Sequence, residues 1–253
     1  MIRSRETIVD GRRVEAVDLD GERERHALVL LHEGLGSVGL WREFPATLQR
    51  ATGRRVIAYS RFGHGRSEPP PEPRTPAFFE EEALHVLPVL LERFGERRPI
   101  LIGHSDGASI ALIHAAHHEV SSLVLLAPHV VIEDVTVDAI REARDAYRLG
   151  ELRRRMARHH DDPDAAFWGW CNVWLDQGFP SWTLEPDAER VRAPTLLIQG
   201  AQDPYGTLDQ LDRIEARVHG PVTRLVVGGG HSPHLEHPVE IVEAIAEHVA
   251  TLR

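Results

Sequence analysis

Pro99-Ile100-Leu101-Ile102-Gly103-His104-Ser105-Asp106-Gly107 is the stretch on which the reading of this chain turns. Ile100 to Ile102 is a short apolar run, the pattern of a buried strand. It ends in G-x-S-x-G, and a segment of helical periodicity follows through Ala108, Ile110, Ala111, Leu112 and Ala115. Strand, G-x-S-x-G, helix is the context that gives this motif meaning. The flanking glycines are expected to let the chain turn sharply and lift Ser105 above the carboxyl end of a sheet. The first free amide of the helix, that of Asp106, would then point at negative charge forming beside Ser105. Ser105 is thus a candidate nucleophile. The plainer alternative is a tight turn with an incidental serine.

Outward from this stretch, the same rhythm repeats. Ala27–Leu31, Val56–Tyr59, Ser121–Ala127, Pro194–Gly200 and Thr223–Val227 are short apolar runs. Runs without polar alternation suit parallel strands buried on both faces. Asp10-Gly11 between Thr7–Val9 and Arg13–Leu19 signals a hairpin. Helical patterns cover Trp41–Ala51, a segment from Thr75-Pro76 that Pro88 should kink, Leu208–Val218 and Val239–Leu252. From His129 to Arg192 no parallel-strand run occurs. Val137–Leu149, Glu151–His159 and Pro163–Leu175 read there as three helices. The expected fold is α/β: a doubly wound, mostly parallel sheet with an inserted helical cap. Residues 1–128 and 193–253 would form the core domain, and 129–192 the cap.

Composition sets limits. The 253 residues suit one α/β domain with an insertion, and 42% hydrophobic residues are enough to bury a core. A formal net charge of -10 argues against nucleic acid or an anionic membrane surface as partner. Cys171 stands alone, so no internal disulfide can form and a reducing compartment fits. Met1 to Glu6 lacks the apolar core of a leader, and no run approaches the roughly 20 apolar residues of a membrane span. A cytoplasmic location is the expectation. The basic residues are all arginine.

A serine hydroxyl needs a base to take its proton, and the base needs an acid to hold its tautomer. Asp203 lies just beyond the Leu196–Ile198 run, and His231 just beyond Thr223–Val227. Both stand where catalytic groups of open parallel sheets gather. Alternatives stay open. Asp203 could cap a helix near Thr207, and Glu133 or Asp134 could be the acid instead. His231, His234, Glu236 and His237 could bind metal, although no H-E-x-x-H or accompanying cysteine supports this and none is expected. His117-His118 and His159-His160 read as exposed helix residues, and His64 as a turn residue.

From about Arg13 onward the chain resembles the α/β-hydrolase superfamily. The resemblance rests on Leu30-Leu31-His32, Gly63-His64-Gly65-Arg66-Ser67, Gly103-His104-Ser105-Asp106-Gly107, Gly200-x-x-Asp203 and Gly230-His231-Ser232-Pro233-His234. It implies Ser105 as nucleophile, His231 as general base and then acid, and Asp203 as its orienting partner, with no cofactor. Branches of this fold that open haloalkanes or epoxides use an aspartate nucleophile. Serine at 105 therefore points to ester, thioester or carbon–carbon bond hydrolysis. The expectation is a small or medium carboxylic ester, with a ligand-binding protein on the same scaffold as the alternative from another class.

The oxyanion hole should combine the Asp106 amide with one from His32–Gly36. The superfamily usually has glycine directly after this histidine, whereas Glu33 stands here before Gly34. Gly34 is the expected donor if the register is unbroken, Leu35 if Glu33 is an insertion. Glu33 is expected to turn away from the developing charge and pair with Arg61. Trp168, Trp170, Trp174 and Trp182 lie in the helical block with Phe167 and Phe179. Most of these rings would form the block's own core. Trp170 or Trp174 is expected to face a substrate bearing an apolar or aromatic group.

Overall fold

The computed structural model describes residues 4–176, 179–250 and 252. Eight strands form one sheet: β1 (Ser4–Val9), β2 (Arg12–Leu19), β3 (Leu28–Leu31), β4 (Val56–Tyr59), β5 (Ile100–His104), β6 (Ser122–Leu126), β7 (Thr195–Gly200) and β8 (Val222–Val227). Their spatial order is β1-β2-β4-β3-β5-β6-β7-β8. β1 and β2 are an antiparallel hairpin added to β4, while β3 to β8 run parallel. Asp10 (φ 48°) and Gly11 (φ 77°) both take the left-handed backbone that a two-residue hairpin turn demands.

Between the strands stand α1 (Phe44–Thr52), α2 (Phe78–Glu81), α3 (Leu87–Phe94), α4 (Asp106–His117), α5 (Asp134–Arg148), α6 (Glu151–Met156), α7 (Pro163–Trp174), α8 (Glu185–Ala188), α9 (Asp209–Glu215), α10 (Pro233–Glu236) and α11 (Pro238–Ala250). Alternate strand residues feed two apolar layers. Leu101, Leu123, Leu125 and Leu197 pack with α3 and α4 on one face. Ile100, Ile102, Val124 and Ile198 pack with α1 and α11 on the other. A sheet buried on both faces explains the continuous apolar runs. Arg54, fully buried, donates to the carbonyls of His26, Val249 and Leu252. It sets a cation against the carboxyl end of α11, where the helix dipole favours one.

Three local readings change. The helix expected over Trp41–Ala51 is two pieces, a 3-10 turn at Val38–Trp41 and then α1. Pro45 has no N–H to give back to residue 41, so the helix restarts. Pro88 acts through the turn before it: Glu82–Val86 widens into a π turn, and α3 begins with Pro88 in its first turn. The last helix ends at Ala250, and Thr251 lies outside the described residues.

The helical block between β6 and β7 is α5 to α8 with a 3-10 turn at Phe179–Ser181. Its aromatic side chains do not form a core apart. Phe79 of α2 meets Trp174, Phe179 and Trp182 at ring distances of 5.9, 6.1 and 5.1 Å. The apolar layer therefore runs unbroken from α4 into the block. Tyr147 stacks on Phe167 at 3.8 Å and fastens α5 to α7.

Candidate active site

Ser105 sits between β5 and α4 with φ 53° and ψ -117°. A non-glycine residue held in that region stores strain, a feature concentrated at functional sites. The bonds around it over-determine the turn. Ser105 N donates to Leu126 O at 2.9 Å, and Ala108 N and Ser109 N donate to Ser105 O at 2.8 and 3.1 Å. The flanking glycines serve a different purpose from the one expected. Neither takes a positive φ. A Cβ on Gly103 would collide with Gly107 O and the Ala108 backbone, and one on Gly107 with Leu31 O. Close approach of α4 to β3 and β5 requires them, while the serine carries the sharp turn.

His231 Nδ1 lies 2.9 Å from Asp203 Oδ1 and 2.8 Å from Oδ2. Donation from Nδ1 fixes the tautomer that leaves Nε2 free to accept a proton. The Asp203 carboxylate is only 1% exposed and also accepts the Tyr205 amide at 2.8 Å. Glu133 is committed elsewhere, accepting from Thr207 N, Thr207 Oγ1 and Gln210 Nε2. Asp134 opens α5. Of the alternatives considered for the acid, only Asp203 reaches His231.

Neutral aromatic groups surround this imidazole. Tyr205, His104 and His129 lie 4.7, 5.2 and 5.8 Å from it, ring to ring. Burial holds His129 down to about 3 and His104 well below the usual histidine range. His104 Nε2 donates to the main-chain oxygen of His231 at 2.7 Å. His234 packs against Trp41 and Phe44, and burial lowers it to about 3. Glu236 accepts the amides of Gly230 and Ser232. Among the described residues no group of three His, Cys, Asp or Glu side chains is arranged to hold a metal ion.

Ser105 and His231 line one cavity of about 470 Å³ with Glu33, Gly34, Asp106, Trp170 and Trp174. Their side chains are not hydrogen-bonded to each other, a contact that nucleophile and base often complete only around substrate. Asp106 is buried, and its Oδ1 accepts Trp174 Nε1–H at 3.2 Å. Burial raises its carboxyl above the usual range. The Trp170 indole presses on Gly34 so closely that a Cβ there would overlap it.

The loop after β3 is held from outside the cavity. The Glu33 carbonyl accepts Arg61 Nη2 at 2.8 Å, His32 Nδ1 at 2.7 Å and Gly36 N at 3.0 Å. A trans peptide sends its N–H opposite to its carbonyl, so these bonds aim the Gly34 amide away from Arg61. The Gly34 carbonyl accepts His64 Nε2 at 2.9 Å, and His64 Nδ1 accepts Arg74 Nη2 at 2.8 Å. The next carbonyl, Leu35 O, accepts His160 Nε2 at 2.9 Å.

Two expectations are corrected here. Arg61 does not pair with the Glu33 carboxylate. Fully buried, it serves the carbonyls of His32 and Glu33 instead. The Glu33 side chain stays on the cavity wall and accepts the Leu35 amide at 2.5 Å. Burial raises its carboxyl, and nearby Asp106 adds to the rise. Of the two amides expected as donors, that of Leu35 is thereby engaged by the Glu33 carboxylate. His160 is buried rather than exposed, its Nδ1 accepting the Gly65 amide at 3.0 Å.

Sequence reasoning missed several residues of this cavity. His129 and Tyr205 follow β6 and β7, so the rule that pointed to Asp203 could have found them. Arg42, Arg155 and Arg158 also line it, and no motif carries them.

Residues 28–244 match the pattern of the alpha/beta hydrolase family. A human protein named serine hydrolase BPHL is 27% identical over 227 residues, covering 83% of this chain and 74% of its own. Two solved structures share the fold. A membrane phospholipase A described as a bacterial virulence factor has a TM-score of 0.81 at 21% identity, covering 98% of this chain and 86% of its own. The enol-lactonase from Burkholderia xenovorans LB400 has a TM-score of 0.78 at 20% identity, covering 97% and 100%. With an eight-stranded, mostly parallel sheet and a match over most of its length, the chain is a hydrolase and belongs to the alpha/beta hydrolase family.

Proposed function

We propose that the protein is a serine hydrolase that cleaves small or medium carboxylic esters through an acyl-enzyme. The observation that carries this reading is the Asp203–His231 pair beside the strained Ser105 on one cavity. In this account His231 Nε2 takes the proton of Ser105 Oγ as the oxygen attacks the ester carbonyl. The amides of Asp106 and Gly34 donate to the oxyanion, each worth roughly 3 kcal/mol of barrier. Asp203 stabilises the imidazolium that forms. His231 then protonates the leaving alkoxide, and the ester C–O bond breaks. Water, deprotonated by the same histidine, attacks the acyl-enzyme; the Ser105 Oγ–acyl bond then breaks, Oγ takes the proton back from His231, and the acid leaves.

The glutamate on the wall acts on the two charges of this cycle in opposite senses. It repels the oxyanion and attracts the imidazolium, and the two appear together. A cavity of about 470 Å³ suits an acyl group of modest length. Residues 129–192 act as its cap in this reading, with Trp170 and Trp174 against an apolar or aromatic part of the substrate. The name serine hydrolase on the human relative agrees with the nucleophile.

A series of p-nitrophenyl esters from acetate to octanoate tests the reading. The expected result is a maximum of kcat/KM at short to medium length, abolished in Ser105→Ala. No turnover of any member by folded protein would overturn it.

A further inference from the structure

The chain carries a formal net charge of -10, yet arginines gather at the mouth of its candidate active site. Arg42 stands between the 3-10 turn and α1, Arg155 is in α6, and Arg158 lies just beyond it. All three line the cavity and are exposed. None of the three makes an ion pair or a side-chain hydrogen bond among the described residues. Their neighbour Arg153 behaves differently: it is bound by Asp164, with Nη2 2.6 Å from Oδ2, and does not line the cavity. Arg42 also holds a costly backbone, with φ 50° and ψ -129°.

Charge along the cavity is therefore graded. Glu33 and Asp106 are at the level of Ser105, and three uncommitted guanidinium groups are at the rim. The arginines that line the cavity are these three, so an anionic group is attracted at the mouth rather than beside the nucleophile. Guanidinium forks are suited to carboxylate and phosphate oxygens.

We propose that the substrate carries an anionic group, a carboxylate or a phosphate, at the end farthest from the scissile bond, received by Arg42, Arg155 and Arg158. The proposal deepens the ester-hydrolase reading and rests on it for the position of the scissile bond. Arginines from two separate segments converge here through the fold. A field of one sign at a cleft mouth also raises capture of the opposite charge, and salt weakens it.

Two measurements test this. The first compares the p-nitrophenyl half-ester of adipic acid with p-nitrophenyl hexanoate, in wild type and in the triple variant Arg42→Ala/Arg155→Ala/Arg158→Ala. These side chains are exposed, and circular dichroism checks that the variant folds. The expected kcat/KM ratio, half-ester over hexanoate, is about tenfold in low salt for wild type. It should shrink in high salt and approach one in the variant. Turnover of hexanoate with no preference for the half-ester would overturn the inference and leave the ester reading standing.

The second measurement needs no turnover, so it separates this inference from failure of the ester reading. Calorimetric titration with adipate and with inorganic phosphate should show binding to wild type that weakens at least tenfold in the variant. The tighter of the two identifies the anion. No binding of either, or equal binding to both proteins, would overturn the proposal.

Discussion

Arg61 Nη2 donates to the carbonyl oxygen of Glu33 at 2.8 Å, across the peptide whose N–H belongs to Gly34. A buried cation thus grips one end of the dipole whose other end is the proposed oxyanion donor. The aim of that amide should depend on Arg61 although the guanidinium touches no reacting atom.

Arg61→Met should lower kcat about 100-fold while KM changes less than threefold, since the loss falls on the transition state. Arg61→Lys should restore part of kcat, and affinity for an alkylboronic acid should fall in step with kcat. A variant that is less stable but turns over normally would show Arg61 to be structural only.

Asp203→Asn should cost about 10⁴ in kcat, because the imidazole loses the carboxylate that sets its tautomer. Glu133→Gln should remain within a few-fold of wild type, since Glu133 binds Thr207 and Gln210. Steady-state kinetics of the two variants decide the matter. The reverse ranking would assign the acid to Glu133.

Trp170 and Trp174 should set the size of the acyl site. Trp170→Ala removes a ring from the cavity wall beside Gly34 and should move the best p-nitrophenyl ester to a longer chain. Trp174→Phe keeps the apolar wall but removes the N–H that Asp106 accepts. It should change kcat more than chain-length preference. Unaltered preference in Trp170→Ala, together with lower stability, would leave that ring a packing role alone.

Acid should destabilise the protein through its buried histidines. Burial holds His129 and His234 at about 3 and His114 at about 4. Between those values and the ordinary 6.5 the unfolded chain binds protons that the folded one refuses. Stability is therefore complete above about pH 6.5 and is lost as pH falls, by about 1.4 kcal/mol per pH unit for each such group. Glu33, Asp106 and Glu82 are raised by burial and act in the opposite sense. Comparison with His234→Leu isolates one group. From pH 7 to pH 5 this variant should lose about 2 kcal/mol less than wild type in urea unfolding. Equal losses would contradict the assignment.

The sequence made the sheet legible because its parallel strands are buried on both faces and read as uninterrupted apolar runs. The positions of Ser105, Asp203 and His231 just beyond β5, β7 and β8 were legible for a related reason, since each follows such a run and strand ends are where side chains converge. Local pattern misleads where long-range contact overrides it. Arg61 looked like a partner for a carboxylate, but the buried loop had carbonyls that needed a donor more. His160 looked like one of an exposed pair, yet it lies between Gly65 and Leu35. Arg42 and Arg155 are distant in sequence, and only folding brings them to one cavity.

Everything proposed for this site depends on the assignment of Ser105 as nucleophile and His231 as its base. Intact-mass analysis after treatment with a fluorophosphonate tests it most directly, on wild type, Ser105→Ala and His231→Gln. One adduct is expected on wild type, none on Ser105→Ala, and labelling slowed by several orders of magnitude in His231→Gln. An unlabelled wild-type protein, or an adduct that persists in Ser105→Ala, would contradict it.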